Sequence, residues 1–336
     1  MHPKEVGRIN EARSMMGWLK GSGWLGLLLT LGLSYGCGKP TTNSQDCTQL
    51  QRIYVVDAGV NKIVRTNDMA GTCWITLGTT GSGILQFKDP NGLFVDTAQK
   101  VYVTDGGNNR IVRTDNMEGT NWTTFGGFGN GTGQFSSPQG IFVDPAGKIY
   151  VTDSANNRIV RMDDMAGTNW TAFGAFGNGT DQFNAPQSIF VDAVGEIYVT
   201  DLGNNRIVRM DDMAGTNWTV FGSFGSGTGQ FSGPDGLFVD AAQKIYVADV
   251  NNNRIVRMDD MAGTNWTTFG SFGIGTDQFS CPQGVTLDAS GRIYVTDSAN
   301  NRIARIDDMS GTGWDLFGAF GTGANDFISP ISIIIR

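Results

Sequence analysis

Short apolar runs alternate with turns of Gly, Asn, Asp and Pro along most of the chain. In the copy that begins at Gln139, the runs at Gly140–Asp144, Lys148–Thr152, Arg158–Met162 and Asn169–Phe173 predict four short strands. No window shows a sustained helical period. The two inner strands are apolar at nearly every position, which predicts burial of both of their faces.

This pattern returns every 48 residues. The first residue of the third strand marks each copy: Lys62, Arg110, Arg158, Arg206, Arg254 and Arg302. Six copies fill residues 49–336, and a fixed period of this size indicates a repeat architecture. Because four-stranded sheets packed around an axis bury both faces, we predict an all-β fold, a six-bladed β-propeller of four-stranded blades. A β-sandwich, which shows stricter alternation, is the weaker alternative.

The two ends of the repeat array predict how the ring closes. The first copy begins with a second strand, Arg52–Val56, whereas Ser332–Arg336 match the first strand of the other copies. Together these segments complete one blade and remove two exposed sheet edges. We therefore predict that the C-terminal strand closes the ring.

The repeat resembles a known family. The run Phe231–Asp249 followed by Asn252–Ile255 resembles the NHL repeat, and so does the Gly-rich stretch Phe221–Phe231. The resemblance extends over all six copies and implies a six-bladed propeller. It implies no single activity, because such propellers serve as binding platforms, RNA readers and enzymes.

Residues 1–48 are of a different kind. A short positive start is followed by an apolar run from Trp24 to Leu33 and by Cys37, as in an export signal with a lipoprotein cleavage site. The apolar run is shorter than the roughly 20 residues of a membrane span. Leu33 lies four residues before Cys37 instead of three, and Tyr35 is bulky, so plain secretion or a retained anchor remains an alternative.

These features predict three parts: an N-terminal extension and signal segment over 1–36, a polar tether over 37–48 and the propeller over 49–336. We expect the protein to be exported to the cell envelope, with lipidated Cys37 holding it at a membrane. The sequence gives no signal for a homo-oligomer.

Charge argues against nucleic acid as a partner. The propeller carries 19 Lys and Arg against 29 Asp and Glu, and its basic residues are spread around the ring. A nucleic-acid binder usually carries a basic face. His2 is the only histidine, so the propeller has no imidazole for base catalysis or for zinc. Lyases that use histidine-bound zinc are therefore excluded as models.

Polar side chains on one end of the ring form the predicted binding face. In this fold the turns between second and third strands and the blade-to-blade connections share one end. The candidates there are Asn91, Asn109, Gln139, Asn157, Gln187, Asn205, Asp235, Asn253 and Gln283. Such oxygens near the axis can hold Ca²⁺, but Asn in turns usually bonds its own backbone. We expect no cofactor, with calcium as the alternative, and we assign neither catalytic nor metal residues.

Other repeated residues point to scaffold roles. Each second strand ends in an aspartate five residues before Lys62 or its matching arginine, so we expect the carboxylate to pair with the basic side chain that closes the turn. The tryptophans from Trp74 to Trp314 are expected to pack between blades.

The cysteines predict one disulfide. Cys47 precedes a second strand and Cys73 opens a fourth, so both belong to the end opposite the connections. Cys281 lies in a connection, too far for a bridge that needs Cα atoms within about 7 Å. We predict a Cys47–Cys73 bridge and a free thiol at Cys281.

The sequence favours a non-enzymatic, exported binding or scaffold propeller that presents its loop-rich face to a protein partner. The alternative is an enzyme of the lyase or lactonase type with an oxygen-ligated metal on the axis. Few residues break the repeat, and they form no evident catalytic group.

Overall fold

The computed structural model describes Cys47 and residues 51–336, which form a ring of six four-stranded antiparallel blades. This confirms the predicted propeller. The expectations for the signal segment and Cys37 lie outside the described residues.

The strands follow the 48-residue period. Blade 1 takes its innermost strand, Pro330–Ile335, from the C-terminal end of the chain. The innermost strands of blades 2 to 6 are Pro90–Val95, Pro138–Val143, Pro186–Val191, Pro234–Val239 and Pro282–Leu287. The second strands of blades 1 to 6 are Ile53–Asp57, Val101–Asp105, Ile149–Asp153, Ile197–Asp201, Ile245–Asp249 and Ile293–Asp297. The third strands are Lys62–Thr66, Arg110–Thr114, Arg158–Met162, Arg206–Met210, Arg254–Met258 and Arg302–Ile306. The outermost strands are Ile75–Leu77, Thr123–Phe125, Thr171–Phe173, Thr219–Phe221, Thr267–Phe269 and Asp315–Phe317.

Single turns of 3-10 helix join the second and third strands. They are Ala58–Val60, Gly106–Asn108, Ser154–Asn156, Leu202–Asn204, Val250–Asn252 and Ser298–Asn300. Two connections also hold short parallel pairs, Thr79–Thr80 with Gln86–Phe87 and Ala175–Phe176 with Gln182–Phe183. The sequence pattern predicted these segments only as turns and loops, because one- and two-residue pairings have no periodicity to detect.

Blade 1 is built from the two ends of the repeat array, as predicted. Pro330–Ile335 pairs antiparallel with Ile53–Asp57. Beyond the strands, the backbone N–H of Arg336 donates to the carbonyl oxygen of Arg52 at 2.9 Å. The first and last copies therefore share one sheet.

The core lies between the blades, so both faces of each sheet are buried. One cluster joins Phe94 and Tyr102 of blade 2 to Ile141 and Val151 of blade 3, and similar clusters fill the other gaps. This packing explains the near-continuous apolar runs of the inner strands.

Tryptophan and phenylalanine rings pack against each other between neighbouring blades. The Trp170 ring of blade 3 lies 5.2 Å from the ring of Phe135, which is fully buried in the connection leading into that blade. Phe125 of blade 2 contacts both rings. The same contacts recur around the ring, which confirms the expected packing of the tryptophans.

Candidate functional site

The two ends of the ring differ in what they expose. The end that carries the six 3-10 turns and the blade-to-blade connections is called here the connection face. The opposite end carries the tight turns between first and second and between third and fourth strands, and is called the turn face. The antiparallel order of the strands fixes this division.

The paired aspartates and arginines stabilise the connection face. Asp105 is fully buried, and its Oδ2 accepts a hydrogen bond from Arg110 Nε at 2.7 Å. Arg110 also donates to the carbonyl oxygens of Ser82 and Gln86 in the preceding connection. Burial raises the pKa of the Asp105 carboxyl, although the hydrogen bonds that it accepts from Lys88 N–H, Asn108 and Arg110 act to lower this pKa. The same ion pair occurs in blades 3 to 6, as predicted.

Blade 1 departs from this arrangement because lysine replaces arginine. No ion pair forms between Lys62 and Asp57 within the described residues, although the charge of Lys62 still acts on the carboxyl. Burial raises the pKa of Asp57 to about 6. A small void of about 10 Å³ beside both side chains is also lined by Thr322 and Asp326.

The asparagines of the predicted binding face mostly serve the scaffold. Asn109 and its copies Asn157, Asn205 and Asn253 adopt left-handed backbone conformations at the ends of the 3-10 turns. The Asn109 side-chain oxygen accepts a hydrogen bond from Ser137 N–H at 2.9 Å, and its copies make the same bond to the following connection. Each asparagine therefore holds a turn against a connection.

Five exposed phenylalanines lie on the connection face. They lie in five of the six connections, between an outermost strand and the next innermost strand, and 70% to 75% of each is exposed. These exposed phenylalanines are Phe128, Phe176, Phe224, Phe272 and Phe320. Thr80 takes the equivalent position in the remaining connection. Because they occupy equivalent positions of the repeat, these rings lie at the same height along the ring axis.

Sequence reasoning missed these phenylalanines. Their 48-residue spacing is visible in the sequence, but the adjacent Phe-Gly pattern looks the same for buried and exposed rings. Phe125 packs against Trp170 whereas Phe128, three residues later, is exposed.

A central cavity of about 1260 Å³ follows the axis of the ring and is lined by all six innermost strands. The predicted residues Asn91, Gln139, Gln187, Asp235 and Gln283 line it at the connection face. The structure therefore brings this part of the predicted face together around the axis. The asparagines at the 3-10 turns do not line the cavity.

Farther into the cavity, four of the innermost strands each contribute a phenylalanine. Consecutive ring centroids lie 4.9, 5.0 and 5.4 Å apart. We call Phe94, Phe142, Phe190 and Phe238 the phenylalanine arc. Thr286 and Ile334 take the equivalent positions in the other two blades. The sequence pattern assigned these rings to the core, because a channel wall and a buried strand have the same apolar composition.

Asp235 is the one acidic residue among the six equivalent positions at this mouth. It is half-buried, and among the described residues its carboxylate makes neither a hydrogen bond nor an ion pair. Removal from water raises the pKa of its carboxyl to about 7. A carboxyl in this setting can exchange a proton near neutral pH or bind a cation.

The cavity's aspartates at the turn face are engaged in their own turns. Asp144 Oδ1 accepts from the backbone N–H groups of Ala146 and Lys148 at 2.9 Å, and equivalent bonds occur at other copies. Among residues 51–336 and Cys47, no group of three or more His, Cys, Asp or Glu is arranged to hold a metal ion.

The cysteines lie on different faces. Cys47 and Cys73 are joined in a disulfide with their Cα atoms 5.7 Å apart, and Cys73 belongs to a turn of the turn face. Cys281 lies in a connection, where its thiol is free and exposed. Within the described part of the chain, no helix is long and apolar enough to cross a membrane.

Comparison with known proteins supports the architecture. The family model of the NHL repeat matches residues 135–162 and 279–306. No curated protein sequence matches the chain.

Several solved structures share the fold. A chain from a nidogen/laminin complex has 23% sequence identity and a TM-score of 0.64, over 85% of this chain and 98% of that one. A streptogramin B lyase has 17% identity and a TM-score of 0.57, over 84% and 82%. A catalytically inactive virginiamycin B lyase from Staphylococcus aureus with quinupristin has 20% identity and a TM-score of 0.54, over 83% and 80%. The chain is a six-bladed β-propeller that carries NHL repeats.

Proposed function

We propose that this protein is an exported, lipid-anchored binding propeller that presents its connection face to a protein partner. The observation that carries the proposal is the set of exposed phenylalanines on that face. Large apolar side chains exposed at equivalent points of a rigid ring are typical of interaction surfaces. Aromatic rings also contribute much of the energy in protein interfaces.

The disulfide supports the proposed orientation. Cys73 belongs to the turn face, so the bond to Cys47 fixes the start of the propeller at that end. An anchor at Cys37 lies ten residues before Cys47. A propeller anchored through its turn face leaves the connection face free to contact a partner.

A non-enzymatic role fits the chemistry of the face. Its repeated carboxylates and guanidinium groups are engaged in structural ion pairs. The nidogen/laminin complex contains a propeller of this shape, and the two lyases share it as well. Because the identities are low, these structures inform the fold, and the role proposed here depends on this chain's own surface.

A binding experiment tests the proposal. The full chain is expressed in its native cells, cross-linked and purified together with bound proteins. Replacing Phe176, Phe224 and Phe272 by serine should abolish recovery of the partner, while Val194→Ser should leave it intact. Val194 is a matched control because it is 76% exposed on the turn face. Recovery that survives the triple variant, or that fails when Asp163–Gly167 on the turn face is changed, would contradict the proposal.

Anchoring has its own test. Growth with an alkyne-labelled fatty acid should label the wild-type chain, and Cys37→Ser should remove the label. Cys281→Ser, which changes a free exposed thiol, should keep it. A label that persists in Cys37→Ser would exclude lipidation at this residue.

A further inference from the structure

The central cavity loses its symmetry in three neighbouring blades. Asp235 of blade 5 replaces the amides found in blades 2, 3, 4 and 6, and Thr286 of blade 6 replaces the phenylalanine of blades 2 to 5. The innermost strand of blade 1 places Ile334 and Arg336 where the phenylalanine and the final aspartate stand in other blades. These innermost strands pack side by side. One side of the cavity is therefore chemically distinct from the other.

The phenylalanine arc already holds one cation. The guanidinium of Arg336 lies 4.8 Å from the centroid of the Phe94 ring, close to the backbone oxygen of Val95. Cations are attracted to aromatic faces through the quadrupole of the ring. Phe94 is thus occupied from within the chain, whereas Phe142, Phe190 and Phe238 are half-buried and line the cavity.

Asp235 supplies a negative charge at the other end of the arc. It lies on the same innermost strand as Phe238, nearer the connection face. The neighbouring strands place the neutral amides of Gln187 and Gln283 beside it.

The other charged groups of the cavity lie at its turn-face end. They are Asp96, Asp144, Asp240, Asp288 and Arg336. No basic side chain of the described residues neutralises Asp235. A half-buried carboxylate without a partner destabilises the fold unless a ligand binds it.

We propose that the central cavity binds an organic cation, with its charged nitrogen beside Asp235 and Phe238 and its apolar body along Phe190 and Phe142. An unpaired carboxylate and aromatic rings in the wall of one cavity are the combination that attracts an alkylammonium group. The cavity volume is sufficient for a drug-sized molecule. This inference is independent of the protein-binding proposal, because it concerns the interior of the ring.

Other ligand classes fit these residues less well. An anion would be repelled by Asp235, and a neutral apolar molecule would leave the carboxylate desolvated and unpaired. A calcium ion takes six to eight oxygen ligands, but this mouth supplies one carboxylate among amides. An organic cation can interact with both the Asp235 carboxylate and the phenylalanine rings.

The test uses benzyltrimethylammonium as the probe and neopentylbenzene, its uncharged carbon isostere, as the comparison. Saturation-transfer NMR on the full chain at pH 8 should show saturable binding of the cation and at least ten-fold weaker binding of the isostere. Affinity for the cation should fall as the pH decreases through about 7, because protonation neutralises Asp235.

Three variants test where the probe binds. Asp235→Gln introduces the residue that blades 3, 4 and 6 carry, so it should remain folded in a thermal melt and lose at least ten-fold in affinity for the probe. Asp315→Thr is the control, because Asp315 lies on the outermost strand of blade 6 and does not line the cavity. This variant introduces the residue that blades 2 to 5 carry, and it should bind the probe like the wild type. Phe190→Leu should weaken binding of the cation more than binding of the isostere.

Three results would overturn the proposal. They are absence of saturable binding to the wild type, equal binding of the cation and its isostere, and unchanged affinity in folded Asp235→Gln.

Discussion

The buried aspartate of blade 1, Asp57, differs from its copies in the other five blades in the groups that bind it. In blades 2 to 6 a guanidinium binds the buried aspartate and the carbonyl oxygens of the preceding connection. In blade 1, Lys62 and Val60 replace the arginine and the asparagine that donate to this carboxylate elsewhere, and burial raises the pKa of Asp57 to about 6. A folded-state pKa above the ordinary 3.8 means that ionisation of Asp57 costs stability as the pH rises through about 6.

Lys62→Arg should therefore stabilise the protein. The guanidinium can fill the void beside Asp57, donate to its carboxylate and reach the connection at Thr322. We expect a gain of about 1 to 2 kcal/mol in unfolding free energy at pH 7, from charge-assisted hydrogen bonds. The gain should shrink towards pH 4, where Asp57 of the folded wild type is protonated and offers no charge to the guanidinium. Urea unfolding at the two pH values measures it.

Lys62→Gln is the control for this change, since it removes the charge and adds no fork of donors. It should destabilise the protein at pH 7. Equal stability of the Arg and Gln variants would refute the role assigned to the guanidinium.

At the element scale, threonine hydroxyls connect neighbouring innermost strands. Thr296 accepts a hydrogen bond from Gly284 N–H at 2.6 Å and donates to the carbonyl oxygen of Ile331 in blade 1 at 3.0 Å. Thr104 and Thr152 make equivalent bonds. Blade 5 has Ala248 at this position, so the strand that carries Asp235 lacks a hydroxyl bridge to blade 6.

Ala248→Thr should restore the bridge between Gly236 N–H and the carbonyl oxygen of Gln283. Because Ala248 is fully buried, the new hydrogen bonds should raise the unfolding free energy by about 1 kcal/mol. Ala248→Val, with nearly the same shape and no hydroxyl, is the matched control. If both variants shift the urea midpoint equally, packing rather than the hydroxyl explains the change.

The disulfide connects the polar tether to blade 1. Peptide mapping of the protein purified from its native cells under non-reducing conditions should recover Cys47 linked to Cys73, with Cys281 alkylated. Both cysteines are on the turn face in the structure, and Cys281 is on the connection face. A linked peptide that contains Cys281 would show that the assignment of faces is wrong.

At the scale of the whole molecule, stability depends on ring closure through the strand Pro330–Ile335. Ile333 and Ile335 are more than nine-tenths buried in the cluster between blades 6 and 1. Ile333→Ala should cost about 2 to 4 kcal/mol and lower the Tm by several degrees. Ser332→Gly, which introduces the residue of blades 2, 3, 5 and 6, should cost about 1 kcal/mol or less.

Deletion of residues 331–336 should destabilise the ring more than Ile333→Ala does. It exposes two sheet edges and the apolar surface that the strand covers, so the Tm should fall further than in Ile333→Ala. A deletion variant that melts like the wild type would contradict closure of the ring by this strand.

The sequence was sufficient to predict the architecture because each blade repeats the same consistent pattern. The Asp–Arg pairs follow from five-residue spacing across a short turn, and the tryptophan packing follows from its recurrence in every copy. The strand ends moved by one or two residues, since strand boundaries depend on hydrogen-bond partners that sequence patterns do not specify.

Much of the candidate site could not be predicted from the sequence, because it depends on contacts between residues that are far apart in the chain. Asp235 was visible as a break in the repeat, but its place beside Phe238 on the cavity wall required the ring. Phe128 and Phe125 have the same local sequence context, and only the packing of Trp170 against Phe125 distinguishes the exposed ring from the packed one.

Photo-cross-linking can show whether the connection face binds a protein. p-Benzoylphenylalanine is placed in the full chain at position 176 on the connection face or at position 194 on the turn face, and native cells are irradiated. We expect a discrete protein adduct from position 176 and none from position 194. An adduct from position 194 alone, or none from either position, would contradict this expectation.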